Sequence, residues 1–465
     1  MDATASTAAS TGPPRGILAE LAAMLAIAGP LAAGNLAQMA MGFTDTVMVG
    51  RLGAVALAAA GLGAMLYFTT GVMLQGVVGA VSPLAAHAFG SGDRVGAGRI
   101  AGAGFTLAVL LSLPFLLIVM TLDRVLIALG YQGAVIADIG HFLFAIAWGA
   151  PAFVGFAALR SLLAALAHTR AVMLVLIACV ASNAALNWVL IFGHFGAPAL
   201  GIAGSGCASA INQWLMLIGL ALYVGHAPGL RGLRVMRSAL MPSLRDLTRI
   251  LGLGLPIGGM LGLEIGVFLA AGILIGLLGT DALGAHQLVL NCASLTFMVP
   301  LGVSQAATVR IAFELGAGRA ATARRAAKVA LAVGIVFMSA TALVLWSVPH
   351  AIVAVYVDID APKNAGLVPI AVGLLAIAAL FQVFDGVQVI AAGALRGYKD
   401  TTVPMLLGAL GYWGFGFCGG WLLAFPIGYG VRGLWWGLAL GLAAVAVLLT
   451  LRLHRLGARR DPNML

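Results

Sequence analysis

Residues 45–57 read DTVMVGRLGAVAL, and residues 271–283 read AGILIGLLGTDAL. Laid over one another, Gly50, Leu52, Gly53, Ala56 and Leu57 meet Gly276, Leu278, Gly279, Ala282 and Leu283. The shift is 226, the one that also sets Pro30 against Pro256 (256 − 30), and it holds without a gap from 30–92 to 256–318. Further along, Gly76 and Val77 meet Gly302 and Val303, and Gly90 and Gly92 meet Gly316 and Gly318. Single matches are cheap in a chain rich in Gly and Ala, but a register this long points to an internal repeat. A weaker echo follows: LRSLLAALAHTRAV (159–172) resembles LRGYKDTTVP (395–404), and GIAG (201–204) resembles GVRG (430–433).

The repeated material belongs in lipid. Hydrophobic residues make up 62% of the 465 and charged residues 9%, with a mean hydropathy of +1.08. A soluble domain is roughly 25% charged, so this chain cannot cover itself in charge. About twelve apolar runs approach the ~20 residues that a membrane-spanning helix needs, and they are too long and continuous for barrel strands. The expectation is an all-α polytopic membrane protein of about twelve transmembrane helices. Six helices per half is an even number, so the two bundles share one orientation, as in transporters with parallel repeats. The expected domains are a disordered cytoplasmic tail (1–16), an N-terminal lobe (17–225), a basic linker (226–249), a C-terminal lobe (250–455) and a second tail (456–465). Pro30 and Pro256 fall at the same early point of each half and read either as packing kinks or as hinges.

The net charge of +10 does not indicate nucleic acid. Of the 25 Lys and Arg, 21 fall in the tails and every second loop, and only Arg51, Arg124, Lys363 and Arg432 fall in the others. That asymmetry predicts a multi-pass membrane protein with both termini cytoplasmic. The four cysteines are scattered singly and read as small buried hydrophobes.

Of the 15 acids, Asp45, Glu264 and Asp385 stand inside apolar runs with no Lys or Arg in the core of any predicted span to pair with them. A lone charge at mid-bilayer costs at least ~2.5–3.5 kcal/mol, so each must face the protein interior or a wet cavity. Asp45 lies near its helix end and reads also as interfacial. Burial disfavours the charged form of any carboxylate, and a second carboxylate nearby adds to the effect. Such a site takes up a proton or sodium ion on one side and releases it on the other. Glu264 aligns with Gln38 in the repeat, and Gln38 shares a helix face with Asp45. Asn183 and Asn187 stack four apart, as do Gln287 and Asn291; each pair reads either as cavity lining or as interhelical hydrogen bonding. Tyr67, Met260, Phe381, Phe384 and Trp413 are candidates for a forgiving apolar substrate wall.

At this point AQMAMGFTDTVMVGRLG (37–53), LPIGGMLGLE (255–264), AHQLVLNCASLTFMVPLGVSQAATVRI (285–311) and FQVFDGVQVIAAGALRGYKDTTVP (381–404) resemble the multidrug and toxic compound extrusion (MATE) family, in its NorM-like branch. The resemblance covers roughly residues 17–455. It implies two six-helix lobes in a V, and an antiporter that expels amphiphilic, mainly cationic drugs and dyes against sodium ions or protons. The implied cation sites are Glu264 and Asp385 in the C-terminal lobe and Asp45 in the N-terminal lobe. Where a sister branch carries a fifth-helix acid, this chain has Asn187, which places coupling mainly in the C-terminal lobe. Glu264 and Asp385 would hold a metal only if the ion is sodium. No cofactor, nucleic acid or obligatory protein partner is expected; the partners are the bilayer and small amphiphilic cations.

The competing readings fare worse. A flippase for a lipid-linked precursor shares a related two-lobe plan, but its pyrophosphate cargo favours cationic residues inside the spans. An enzyme is not indicated: there is no HExxH, GxSxG or GxxxxGK pattern.

Overall fold

The computed structural model describes residues 16–128, 134–233 and 235–459. Among these, eleven helices are long and apolar enough to cross a membrane, and a bent pair makes a twelfth. They are α1 (Ile17–Gly50), α2 (Ala54–Gly90), α3 (Arg94–Ala128), α4 (Val135–Ala147 with Ala150–Ala165, bent by 48°), α5 (Thr169–Phe192) and α6 (Gly201–His226). The second six are α7 (Leu244–Gly276), α8 (Thr280–Gly316), α9 (Ala320–Ser347), α10 (Leu367–Gly397), α11 (Thr402–Ala424) and α12 (Gly430–Ala458). No strand occurs among the described residues. The expected tails lie mostly outside them, but helix continues to Arg459, so the second tail starts later than residue 456.

The matched glycines have a structural cause. Gly53 and Gly279 adopt φ of 114° and 123°, and Gly92 and Gly318 adopt φ of 82° and 75°. Side chains avoid this region and glycine does not. The four residues form the α1–α2, α7–α8, α2–α3 and α8–α9 turns, so the repeat is written most clearly where the backbone leaves least choice.

The chain forms two compact units: Ala33–Gly258, and Gly259 onward together with the stretch that ends at Ala32. These bounds differ from the expected lobes of 17–225 and 250–455, because α1 and α7 are continuous helices that each change unit partway along. The changes fall two residues after Pro30 and Pro256 and are themselves 226 apart (258 − 32). The early part of α1 packs on α8, where a Cβ on Gly302 would lie 2.8 Å from Ala32 N and 3.0 Å from Ala28 O. The early part of α7 packs on α2, where Gly254 and Gly258 rest against the carbonyls of Val77 and Met73. These two glycines are thus internal packing positions.

Each early segment also carries an acid in an ion pair. Glu20 of α1 is 0% exposed and receives Arg310 Nε at 3.0 Å and Nη2 at 2.8 Å. Arg310 also pairs with Glu314 at 3.3 Å, and Arg319 reaches Glu314 at 2.6 Å. Asp246 of α7, the repeat partner of Glu20, is buried 3.9 Å from Arg99. These acids also lie within helices, near their ends.

In the C-terminal unit α10 packs against α8, α9 and α12. It is apolar nearly all round, as a helix buried on every side must be. Ser304 and Thr308 of α8 donate to Val389 O and Gly393 O of α10, each at 2.7 Å, which braces its second half. Alongside, Leu410–Cys418 of α11 winds as a π-helix. α11 lies against a glycine face of α12: a Cβ on Gly441 would sit 2.6 Å from Gly416 Cα, one on Gly433 2.6 Å from Ala424 N, and Gly437 rests on Gly420. The GxxxG run Gly433–Gly441 is thus an internal contact. Gly437→Val is expected to cost at least ~1–3 kcal/mol through overpacking, read as a loss of monodisperse protein on size-exclusion chromatography. An unchanged profile would contradict this packing. Cys179 and Cys292 are buried as expected, whereas Cys418 of the π-helix is exposed.

Candidate functional site

The acids of the C-terminal unit come from two helices that the sequence separates widely. Glu264 stands on α7 and Asp385 on α10, and one amide joins them. Gln388 Nε2 donates to Glu264 Oε1 at 2.9 Å and to Asp385 Oδ1 at 3.3 Å. Gln388 sits one turn after Asp385, so α10 presents both to the same neighbour. Tyr412 donates its hydroxyl to Gln388 Oε1 at 2.8 Å, which fixes the amide with its NH2 toward the carboxylates. Asp385, Gln388 and Tyr412 are buried, and Glu264 is partly buried. Trp413, also in the π-helix, donates to Leu263 O at 3.1 Å and ties α11 to the turn that carries Glu264. A π-helix places successive side chains differently from an α-helix and occurs often at functional sites; here it aims Tyr412 and Trp413 together at this cluster. Arg396, further along α10, acts electrostatically on Glu264.

A second cluster forms in the other unit. Asp45 Oδ1 receives Asn183 Nδ2 at 3.0 Å and Asn187 Nδ2 at 2.6 Å, and its Oδ2 receives Ser209 Oγ at 3.2 Å. The spacing that stacks the asparagines on α5 lets both amides reach one carboxylate. Asp45 is therefore held by side chains of α5 and α6. With both NH2 groups committed to Asp45, the carbonyls Asn183 Oδ1 and Asn187 Oδ1 are buried without a partner. Two orphaned oxygens beside a carboxylate make a donor set that suits a small hard cation. Gln38 lies two turns earlier on α1 and receives Arg160 Nη1 at 3.0 Å, while Asn35 receives Arg160 Nη2.

Several expectations need correction. Arg160 and Arg396, read from sequence as loop residues, stand within α4 and α10. Both helices run on past their apolar stretches, and Arg160 lies five residues before the end of α4 and Arg396 one before the end of α10. Tyr67 is a core residue that donates to Gln213 at 2.9 Å and packs on Phe115 and Phe153. Phe381 is buried against Phe268 and Trp435, and Met260 is also buried. Phe384 and Trp413 are partly exposed. Gln287 and Asn291 are exposed on α8 and are not partners of the acids. Sequence reasoning missed Gln388, Ser209 and the role of Tyr412. The available signal was the spacing in DGVQ, which sets Asp385 and Gln388 on one face.

Comparison with known proteins bears on the family and the fold. The MatE family matches residues 30–189 and 256–422, two segments that begin at the paired prolines. The chain is 44% identical over 466 residues to a "Probable multidrug resistance protein NorM" of Burkholderia mallei, covering 99% of both chains. It is 44% identical to the "Multidrug resistance protein NorM" of Burkholderia vietnamiensis, covering 92% of each. Among solved structures it shares the fold of the eukaryotic MATE transporter AtDTX14, with a TM-score of 0.85, 22% identity and coverage of 97% of this chain and 100% of that one. A MATE transporter in the bent conformation gives a TM-score of 0.86 at 15% identity, covering 99% and 100%.

Proposed function

The chain belongs to the MatE family, in its NorM-like branch, and on that premise we propose that it exports amphiphilic, mainly cationic drugs and dyes in exchange for sodium ions or protons by alternating access. The observation that carries the proposal is the Glu264–Gln388–Asp385 cluster. Two carboxylates held by one amide form an anionic pair that a single monovalent cation or proton can bridge. Gln388 and Tyr412 position the carboxylates, and the burial of Asp385 limits competition from bulk water for the ion. Occupied by one cation or proton, the pair carries one negative charge instead of two; vacant and doubly anionic, it attracts an organic cation. Exchange follows when one cluster alternates between the two and between the two faces of the inner membrane, with both termini in the cytoplasm.

Asp45 supplies a second cation site in this reading, supported by the orphaned carbonyls of Asn183 and Asn187. The relatives' names supply the cargo class. The test is ethidium accumulation in cells lacking their own drug pumps. Expression of the wild type is expected to lower accumulation, and equal accumulation with and without the protein would defeat the reading. In the same assay Asp45→Asn is expected to leave partial export, reduced about threefold to tenfold, with the C-terminal pair still coupling; a tenfold change corresponds to about 1.4 kcal/mol. Complete loss at equal expression would move the principal coupling site to Asp45.

A further inference from the structure

The segment that precedes α7 is not a slack linker. Arg231–Leu233 forms a turn of 3-10 helix and Val235–Leu240 a short α-helix. Leu230, Leu233 and Val235 are buried. The backbone lies directly on a glycine face of α3: a Cβ on Gly102 would meet Ser238 Cβ at 2.6 Å and Ala239 N at 2.7 Å, and Gly98 rests on Leu233 O. Thr106 of α3 donates to Ala239 O at 2.7 Å. One face is thus seated firmly, and that seating turns the other face outward.

The outward face is both apolar and basic. Leu240, Met241 and Leu244 are 80%, 83% and 79% exposed. Arg237, Arg245 and Arg249 beside them are exposed. The only acid between residues 226 and 249 is Asp246, which is turned inward and buried against Arg99. The position in the bilayer completes the picture. The 33 residues of α7 extend about 50 Å, against a hydrocarbon core of about 30 Å. Its first turns carry Arg245, Asp246 and Arg249, and charge is costly in the acyl region, so the surplus length belongs at this end.

We infer that residues 237–249 form a docking surface for anionic phospholipid, with Leu240, Met241 and Leu244 seated at the headgroup–acyl boundary and Arg237, Arg245 and Arg249 holding the phosphates. Basic residues near an anionic surface and apolar residues at its boundary are the two components of interfacial anchoring. The inference stands apart from the transport reading and needs only the membrane-spanning fold.

The test is native mass spectrometry of the full-length protein, released from nanodiscs that contain equal phosphatidylglycerol and phosphatidylcholine. The wild type is expected to retain phosphatidylglycerol preferentially. R237Q/R245Q/R249Q is expected to lose that preference at least about tenfold, on a scale of about fivefold per arginine. L240S/M241S/L244S is expected to retain less phosphatidylglycerol than the wild type. All six positions are exposed, so thermal unfolding midpoints should match the wild type. Should the triple variants fail to fold, R245Q and R249Q, each with an expected loss of about fivefold, serve instead. No preference in the wild type, or preference retained without the arginines, overturns the inference. So does a mass for two protein copies that disappears in L240S/M241S/L244S, which would assign the surface to self-association.

Discussion

Asp385→Asn is expected to reduce ethidium export from pump-deficient cells by at least about tenfold at equal expression. One-for-one exchange of a monovalent ion for a singly charged dye moves no net charge, so the ion's concentration gradient drives it: a tenfold gradient is worth about 1.4 kcal/mol and sustains about a tenfold dye ratio. Asparagine keeps the volume of the side chain but removes the charge that binds the driving ion. The fold is expected to persist, because Gln388 still donates to Glu264 at 2.9 Å and still accepts from Tyr412 at 2.8 Å. Glu264→Gln is expected to lose export in the same way, since the pair works as a unit. Loss of export with normal expression and unfolding behaviour identifies a coupling role. Normal export in both variants would make the acids structural and remove the mechanism.

Arg310→Met is expected to destabilise the protein by about 3–5 kcal/mol, the usual consequence of leaving a buried charge without its partner. Glu20 is 0% exposed and both of its oxygens are held by Arg310, so no solvent replaces the guanidinium. Glu314 keeps Arg319 at 2.6 Å, which confines the damage to Glu20 and the early part of α1. Adding Glu20→Leu is expected to recover most of the loss, because two apolar side chains can replace a buried ion pair at little cost. The cycle is read from thermal unfolding midpoints in detergent. Additive losses in the double variant would mean that the pair does not interact as described.

The architecture was readable from the sequence because two of its causes are local. Apolar runs of spanning length mark the helices, and Gly53, Gly92, Gly279 and Gly318 mark turns whose backbone only glycine adopts easily. The Asn183–Asn187 face was readable for a similar reason, since four-residue spacing on a helix guarantees a shared direction. What escaped notice depends on contacts between distant segments. Gln388 carries no charge and attracts no attention until Glu264 is seen beside it. Arg160 and Arg396 were assigned to loops because a charge count cannot show that α4 and α10 run beyond their apolar stretches. The π-helical winding of Leu410–Cys418 leaves no clear period in a run so uniformly apolar. The changes of unit after Ala32 and Gly258 fall inside unbroken helices, where composition does not change. Pro30 and Pro256 flag these places, but only the packing of α1 on α8 and of α7 on α2 shows what they separate.

The most direct test of the account is a simultaneous recording of dye and cation in liposomes that contain the purified protein, first under an imposed sodium gradient and then under a proton gradient. The account predicts that one of the two gradients drives ethidium uphill, that the cation moves in the opposite direction with it, and that Asp385→Asn abolishes both movements. Dye movement unaffected by either gradient, or coupled exchange that survives Asp385→Asn, would contradict it.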